Sequence, residues 1–331
     1  MAQTTYGSIS QRTAAWAAVE MLSHAEPIVV LQKLGMPKPM PKNKADTVKF
    51  RRAIPFVAAT TALTEGVTPT AQSMSYQDVS VQLAQYGALV EITDRVNDLS
   101  EDPVLKNATQ LCGEQIAETT ENIAYGVIKA GTNVSYNNGT QRTDVNTAIS
   151  LNKIRGCVRT LMSQRAKMIT DILAPSVQIS TRYVEPGYVA VCHTDLIPDI
   201  RNLSGFLPVA AYGTRKVIDP MEIGSVENVR FIASPLFLPF ADAGGAAGGT
   251  MVSTTGTSAD VYPVVILARE AFGIVTLKGA SAVTPRVINP DDVDKSDPLG
   301  QRGYVSWKTY YACVRLNENW MVRLETAATA L

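Results

Sequence analysis

Between Asp102 and Ala130 the apolar residues Val104, Ala108, Leu111, Cys112, Ile116, Ile123, Val127 and Ile128 recur at spacings of three, four and seven, or near multiples. That period gathers them on one helical face, opposite a face of Lys, Asn, Gln and Glu. Asp102 is a good N-cap, Pro103 suits the first helical position, and Gly131 stands where a helix stops. At 1.5 Å per residue the helix would be roughly 40 Å long, about a domain diameter. Gly113 and the Thr119–Thr120 pair weaken it locally. A greasy face of this length needs a partner sheet, so the rest of the chain is expected to organise around it.

Upstream, Thr13 to His24 has helical propensity, with Trp16, Val19, Met21 and Leu22 as its large apolar residues, and Pro27 ends it. Ile28 to Leu34 predicts a further short turn or helix. Pro37, Pro39 and Pro41 then exclude helix or central strand and predict a stiff, extended linker. These first forty residues cannot make a core alone and must dock on this chain or another. Ala45–Pro55 and Val79–Thr93 alternate in polarity and read as two strands. The stretch between them is rich in Thr, Ala, Gly and Pro, so the pair predicts an extended hairpin with a long polar tip. It has too few apolar residues to fold on itself, and an arm lying on a neighbouring subunit is the sharper reading.

Downstream, Leu151–Arg165 predicts a second amphipathic helix. Strands are expected at Ile172–Ser180, Tyr188–His193, Val226–Ile232, Val261–Ala268, Phe272–Leu277, Tyr304–Leu316 and Trp320–Glu325, with a turn at Asn317–Asn319. Asp195–Leu203 reads as a short helix or turn. The Gly-, Ala-, Ser- and Thr-rich run 241–260 predicts an exposed, mobile insertion. No internal repeat is evident.

Thirty basic and thirty acidic residues give zero net charge. Tight phosphate-driven binding of DNA usually needs a basic chain, so it is disfavoured. Cys112, Cys157, Cys192 and Cys313 are far apart and form no CxxC pair, which favours buried free thiols. No apolar run reaches about 18 residues, and the N-terminus lacks a signal-peptide pattern, so the expected compartment is a cytosol, at least at first.

Candidate chemistry is sparse. Cys192 and His193 are neighbours that a strand would point to opposite faces, and His24 is the only other histidine. The run Gly244–Gly249 lacks the order of a phosphate or dinucleotide loop. Asp291, Asp292, Asp294 and Asp297 lack the closing Glu of a calcium loop. No catalytic, cofactor or metal site is expected. Lys49, Arg51 and Arg52 do form a small basic cluster on a predicted strand, with Glu65 near the tip and Glu91 on the return strand. Salt bridges between subunits suit that cluster in a chain of balanced charge.

Three segments carry a resemblance: TVKFRRAIPFVAATTALTEGVTP (47–69), EIGSVENVRFIASP (222–235) and DPLGQRGYVSWKTYYACVRLNENWMVRLE (297–325). In order and spacing they resemble the phage N4 gp56-like family of HK97-fold major capsid proteins. The resemblance implies an α+β HK97-like fold. Residues 1–42 would be an N-terminal arm and 43–95 an E-loop hairpin. Residues 96–145 would be a P domain with spine helix 102–130, and 146–286 an A domain carrying insertion 241–260. Residues 287–331 would be strands completing the P domain. It further implies hexamers and pentamers of an icosahedral shell around the double-stranded DNA of a tailed bacteriophage. That shell would be built in the host bacterial cytoplasm with portal and scaffolding proteins, decoration proteins remaining an open option, with no membrane and no cofactor. The subunit-interface residues expected on this reading are Trp16, Lys49, Phe50, Arg51, Arg52 and Glu65. Two rivals stay open: the shell protein of an HK97-fold bacterial nanocompartment, and a cytosolic cysteine hydrolase using His193.

Overall fold

The computed structural model of the chain describes residues 29–41, 43–63, 65–66, 68–99, 104–174, 180–213, 215–277, 283–288 and 297–331. The expectations for helix Thr13–His24 with Trp16, for the Asp102 cap with Pro103, and for Asp291, Asp292 and Asp294 lie outside these residues.

The long helix spans Val104–Lys129, and the Gly131 amide closes it on the Ile128 carbonyl at 3.0 Å. Its buried face includes Ala108, Cys112, Ile116, Ala124, Tyr125 and Ile128, but Leu111 is 65% exposed despite its helical spacing. Thr120 and Glu121 take buried positions instead. The Thr120 hydroxyl donates to the Ile116 and Ala117 carbonyls, so it enters the core without an orphaned donor.

Two sheets flank this helix. In the smaller, the strand Arg302–Arg315 carries Ala84–Thr93 along one edge. Val283–Ile288 and Phe272–Thr276 lie along the other. Ile92, Val305 and Trp307 meet Ala108, Cys112 and Ile116 of the helix, and the Trp307 indole donates to Gln115 at 3.0 Å. The larger sheet runs Val134–Tyr136, Met321–Thr326, Tyr262–Leu267, Ser180–Cys192, Val229–Ala233, Glu222–Val226 and Phe206–Pro208, with Ile169–Ala174 also paired to Ser180–Cys192. Tyr262–Leu267 and Val229–Ala233 are buried at every position. Val189, Val191, Ile232 and Val265 face the C-terminal half of the long helix. Ala190, Phe231, Val264 and Ile266 face helices Leu151–Ser163 and Ile197–Arg201. Coverage of both faces explains why these strands read as apolar runs without alternation.

The proline linker joins the smaller sheet as an edge. Met36–Pro37 pairs in parallel with Gly273–Ile274, and the Lys38 and Met40 amides donate to the Ile274 and Thr276 carbonyls. On a parallel strand only alternate residues turn their N–H to the neighbour. Pro37, Pro39 and Pro41 occupy the other positions, where no donor is needed.

Three expectations are revised. Val79–Thr93 is two strands, Tyr76–Gln82 and Ala84–Thr93, serving different sheets. Val226–Ile232 belongs to a tight hairpin of Glu222–Val226 and Val229–Ala233, turning at Glu227 in the left-handed region (φ 50°). The run 241–260 is tied to the rest of the fold at several points rather than being an exposed insertion throughout. Ala247 and Ala259 are buried, and the Val252 and Ala330 amides donate to the Ala328 and Thr250 carbonyls. Small residues are needed here for contact: a Cβ on Gly244 would lie 2.2 Å from the Val145 carbonyl oxygen.

Candidate functional site

The hairpin pairs Thr47–Ala53 with Tyr76–Gln82 in register from Thr47↔Gln82 to Ala53↔Tyr76. Alternation turns Val48 and Phe50 inward, while Lys49, Arg51 and Arg52 are exposed. Phe50 is 6% exposed and packs with Met40, Val48, Val275 and Ala312. The Lys38 ammonium lies 5.0 Å from its ring centroid and donates to the Lys49 carbonyl. The ring of this expected interface residue therefore fills the chain's own core and anchors the hairpin base.

The three cations are not equivalent. Arg51 faces Asp78 across the ladder and holds it bidentately at 2.8 and 2.9 Å. That contact raises the Arg51 guanidinium and holds the Asp78 carboxyl below the ordinary carboxylate range. Arg51 thus has a carboxylate inside the hairpin, on a residue overlooked in the sequence although it lies on the return strand. Arg52 donates to the neutral Gln77 amide at 3.0 Å, and Lys49 is exposed. Among the described residues neither meets a carboxylate at ion-pair distance. Glu65 sits in an exposed turn at the tip and is not brought to these cations, and Trp16 lies outside the described residues.

Arg51 and Arg52 border a cleft of about 660 Å³. Its walls add Lys38, Arg165 and Lys167 to the two arginines, with Glu270 as the one lining carboxylate. Met36, Phe50, Leu316 and Trp320 add apolar surface to its lining. In a chain with no net charge, this is a local concentration of positive charge.

Beyond the base, residues 54–63 and 68–75 form no strand or helix. They carry apolar side chains in water: Ile54 is 47% exposed, Phe56 54%, Val57 86% and Leu63 75%. A second apolar opening, about 680 Å³, lies between Ala84–Thr93 and the start of the long helix, bordered by Val90, Ile92, Val96, Val104 and Leu111. Contiguous exposed apolar surface of this kind marks interaction sites.

The thiols lack the setting of a nucleophile. Cys112, Cys157, Cys192 and Cys313 are all buried. Burial pushes Cys192 and Cys313 up to about 12, and moves Cys112 and Cys157 the same way. His193 accepts from the Asp195 amide and packs beside Tyr262, whose hydroxyl donates to Asp195. Among the described residues no group of three His, Cys, Asp or Glu could hold a metal, and no helix is long and apolar enough to cross a membrane.

The carboxylates that are buried have structural work. Glu325, fully buried, accepts both Arg142 nitrogens at 2.8 Å. Arg323 Nε lies 2.8 Å from it, too bent for a hydrogen bond, while its other nitrogen reaches the Gly131 carbonyl. Arg142 also stacks on Phe240 at 3.6 Å. This network ties the C-terminal strand to the end of the long helix and to the start of the Gly-rich run.

Comparison with known proteins places these surfaces in context. A family model described as phage capsid protein matches residues 76–321. The major capsid protein of Pseudomonas phage KPP21 is 22% identical over 272 residues, covering 75% of this chain and 67% of that protein. The capsid of Ralstonia phage GP4 superposes with a TM-score of 0.68 at 14% identity, covering 90% of this chain and 88% of its own. The SrpI encapsulin complex of Synechococcus elongatus superposes with a TM-score of 0.53 at 11% identity, covering 90% and 87%. These likenesses establish the HK97-like α+β fold, with arm, hairpin, long helix and mixed domain. Because the family match spans about three quarters of the sequence, the chain belongs to the phage capsid protein family.

Proposed function

We infer that this major capsid protein self-assembles, through hexamers and pentamers, into the icosahedral shell enclosing the double-stranded DNA of a tailed bacteriophage. Residues 1–42 act as the N-terminal arm, 43–95 as the E-loop, 96–145 with 287–331 as the P domain and 146–286 as the A domain. Shells form in the host bacterial cytoplasm with portal and scaffolding proteins, and the virion capsid is the final location. The observation that carries this reading is the hairpin. Its base is anchored by Phe50 and carries Lys49 and Arg52 without a carboxylate among the described residues, while its distal half leaves Ile54, Phe56, Val57 and Leu63 in water. Surfaces of both kinds are covered when each copy lays its hairpin on a neighbour. Trp16 and Glu65 are further candidates for that contact.

Zero net charge supports containment of DNA without tight binding to its phosphates. The likeness to an encapsulin complex keeps a protein-filled compartment as the second reading. Shells purified from an infected host decide between them. Nuclease-protected double-stranded DNA supports the phage reading, and shells containing only protein cargo support the other.

A further inference from the structure

The arm is held on the long helix by one buried carboxylate. Glu121 is fully buried, and its Oε1 accepts the amides of Val30 at 3.2 Å and Leu31 at 2.7 Å. Val30, the residue at the helix start, supplies no side-chain cap of its own. Leu31 and Leu34 pack into the core beside Ala124 and Ile128, and Gln32 donates to the Thr120 hydroxyl at 2.6 Å. The arm's docking thus centres on one turn of the helix.

That turn is electrostatically incomplete. Lys33 is the nearby cation, but Asp219 takes it at 2.6 Å with 1% of the Asp219 side chain exposed. Among the described residues Glu121 Oε2 has no hydrogen-bond partner, nor does the buried Tyr311 hydroxyl, which is close enough to feel the Glu121 charge. Cys313, on the same strand as Tyr311, also feels the Glu121 charge. A buried carboxylate with one oxygen unpartnered and its cation already neutralised is costly when ionised. The neutral acid keeps a carbonyl-type oxygen toward the two amides and removes the charge.

We propose that Glu121 is a proton-linked latch for the N-terminal arm: the arm docks on the long helix with Glu121 neutral and is loosened when Glu121 ionises. Burial, acting first, pushes this carboxyl up to about 7 from 4.5, against the opposing pull of the two amides and Lys33. A group raised in the docked state holds the arm most tightly below about 4.5, and the extra hold is lost as pH rises through about 7. The pH of the assembly medium would therefore set how readily residues 30–34 leave their seat.

Amide hydrogen exchange on the purified full chain tests this, after correction for intrinsic exchange, and it does not depend on shells forming. Protection of Val30 and Leu31 is expected to fall on the order of 10²-fold between pH 4.5 and 8, declining from about 4.5 and levelling off above about 7, while amides of Tyr188–Cys192 stay constant. Glu121→Gln keeps the accepting oxygen but cannot ionise, so its protection should be independent of pH. Asp219→Asn returns the Lys33 charge to Glu121, so protection should level off at lower pH and fall by less in total. Flat protection in the wild-type chain, or a Glu121→Gln profile that follows it, overturns the proposal.

Discussion

Replacing Phe50 with alanine separates an intrachain anchor from an interface residue. The ring is 6% exposed, and it lies so close to Gly273 that a Cβ there would sit 2.7 Å from its Cζ. Truncating a buried phenylalanine costs about 3–5 kcal/mol. Val48 is the other buried side chain of its strand, and a two-stranded hairpin is marginal alone. The loss should therefore appear as local opening. Protection of amides in Thr47–Ala53 and Tyr76–Gln82 should fall by a factor of about 100 or more, the equivalent of about 3 kcal/mol. The large sheet, which shares no packing with Phe50, should keep its protection and melting midpoint. Gly273→Ala should loosen the same strands by pushing the ring out. It should be nearly silent in a Phe50→Ala background, because the two changes act on one contact. Exchange mass spectrometry of the unassembled chain reads all of this. Unchanged hairpin protection in Phe50→Ala would mean that the ring is idle until a neighbour arrives, and would refute the anchor assignment.

Glu325→Ala strands Arg142 and Arg323 around an emptied site. Breaking a buried ion pair costs about 3–5 kcal/mol, so the variant should show a clearly lower denaturation midpoint, with an unchanged midpoint arguing against the network. Lys49→Glu combined with Arg52→Glu should leave the free chain folded and melting as wild type, yet impair assembly or give shells sensitive to salt; normal, robust shells would remove these cations from the interface. A thiol reagent at pH 8 should leave all four cysteines unmodified in the folded chain and label them on unfolding, because burial opposes the thiolate in each; rapid labelling of one would reopen a nucleophile.

Period and punctuation made much of the fold legible. The long helix, its end at Gly131, the hairpin strand with Val48 and Phe50 on one face, and the proline edge all follow from local rules. Partners distant in sequence decided the rest. Nothing local in Val79–Thr93 signals a change of sheet near Leu83, because Ala84–Thr93 is claimed by Arg302–Arg315. Leu111 keeps the helical period yet faces out, while Glu121 and Thr120 face in, because the arm supplies amides and a glutamine that the helix sequence does not announce. The Gly-rich run reads as an exposed insertion by composition, whereas its small residues let backbone meet backbone at Val145 and Ala259. At the candidate interface the basic cluster was visible. Asp78 as the partner of Arg51 became visible only once strand register was known, and the cleft with Arg165 and Lys167 needed the tertiary fold.

Copies of this chain are expected to cover one another's hairpins and close into a shell. Sedimentation velocity of the purified protein across salt and protein concentration, with negative-stain images of each fraction, tests it most directly. Discrete hexameric or pentameric capsomers and closed, uniform shells are expected under assembly conditions. A single monomeric species at high concentration in every condition, with no rings or shells in the images, would contradict it.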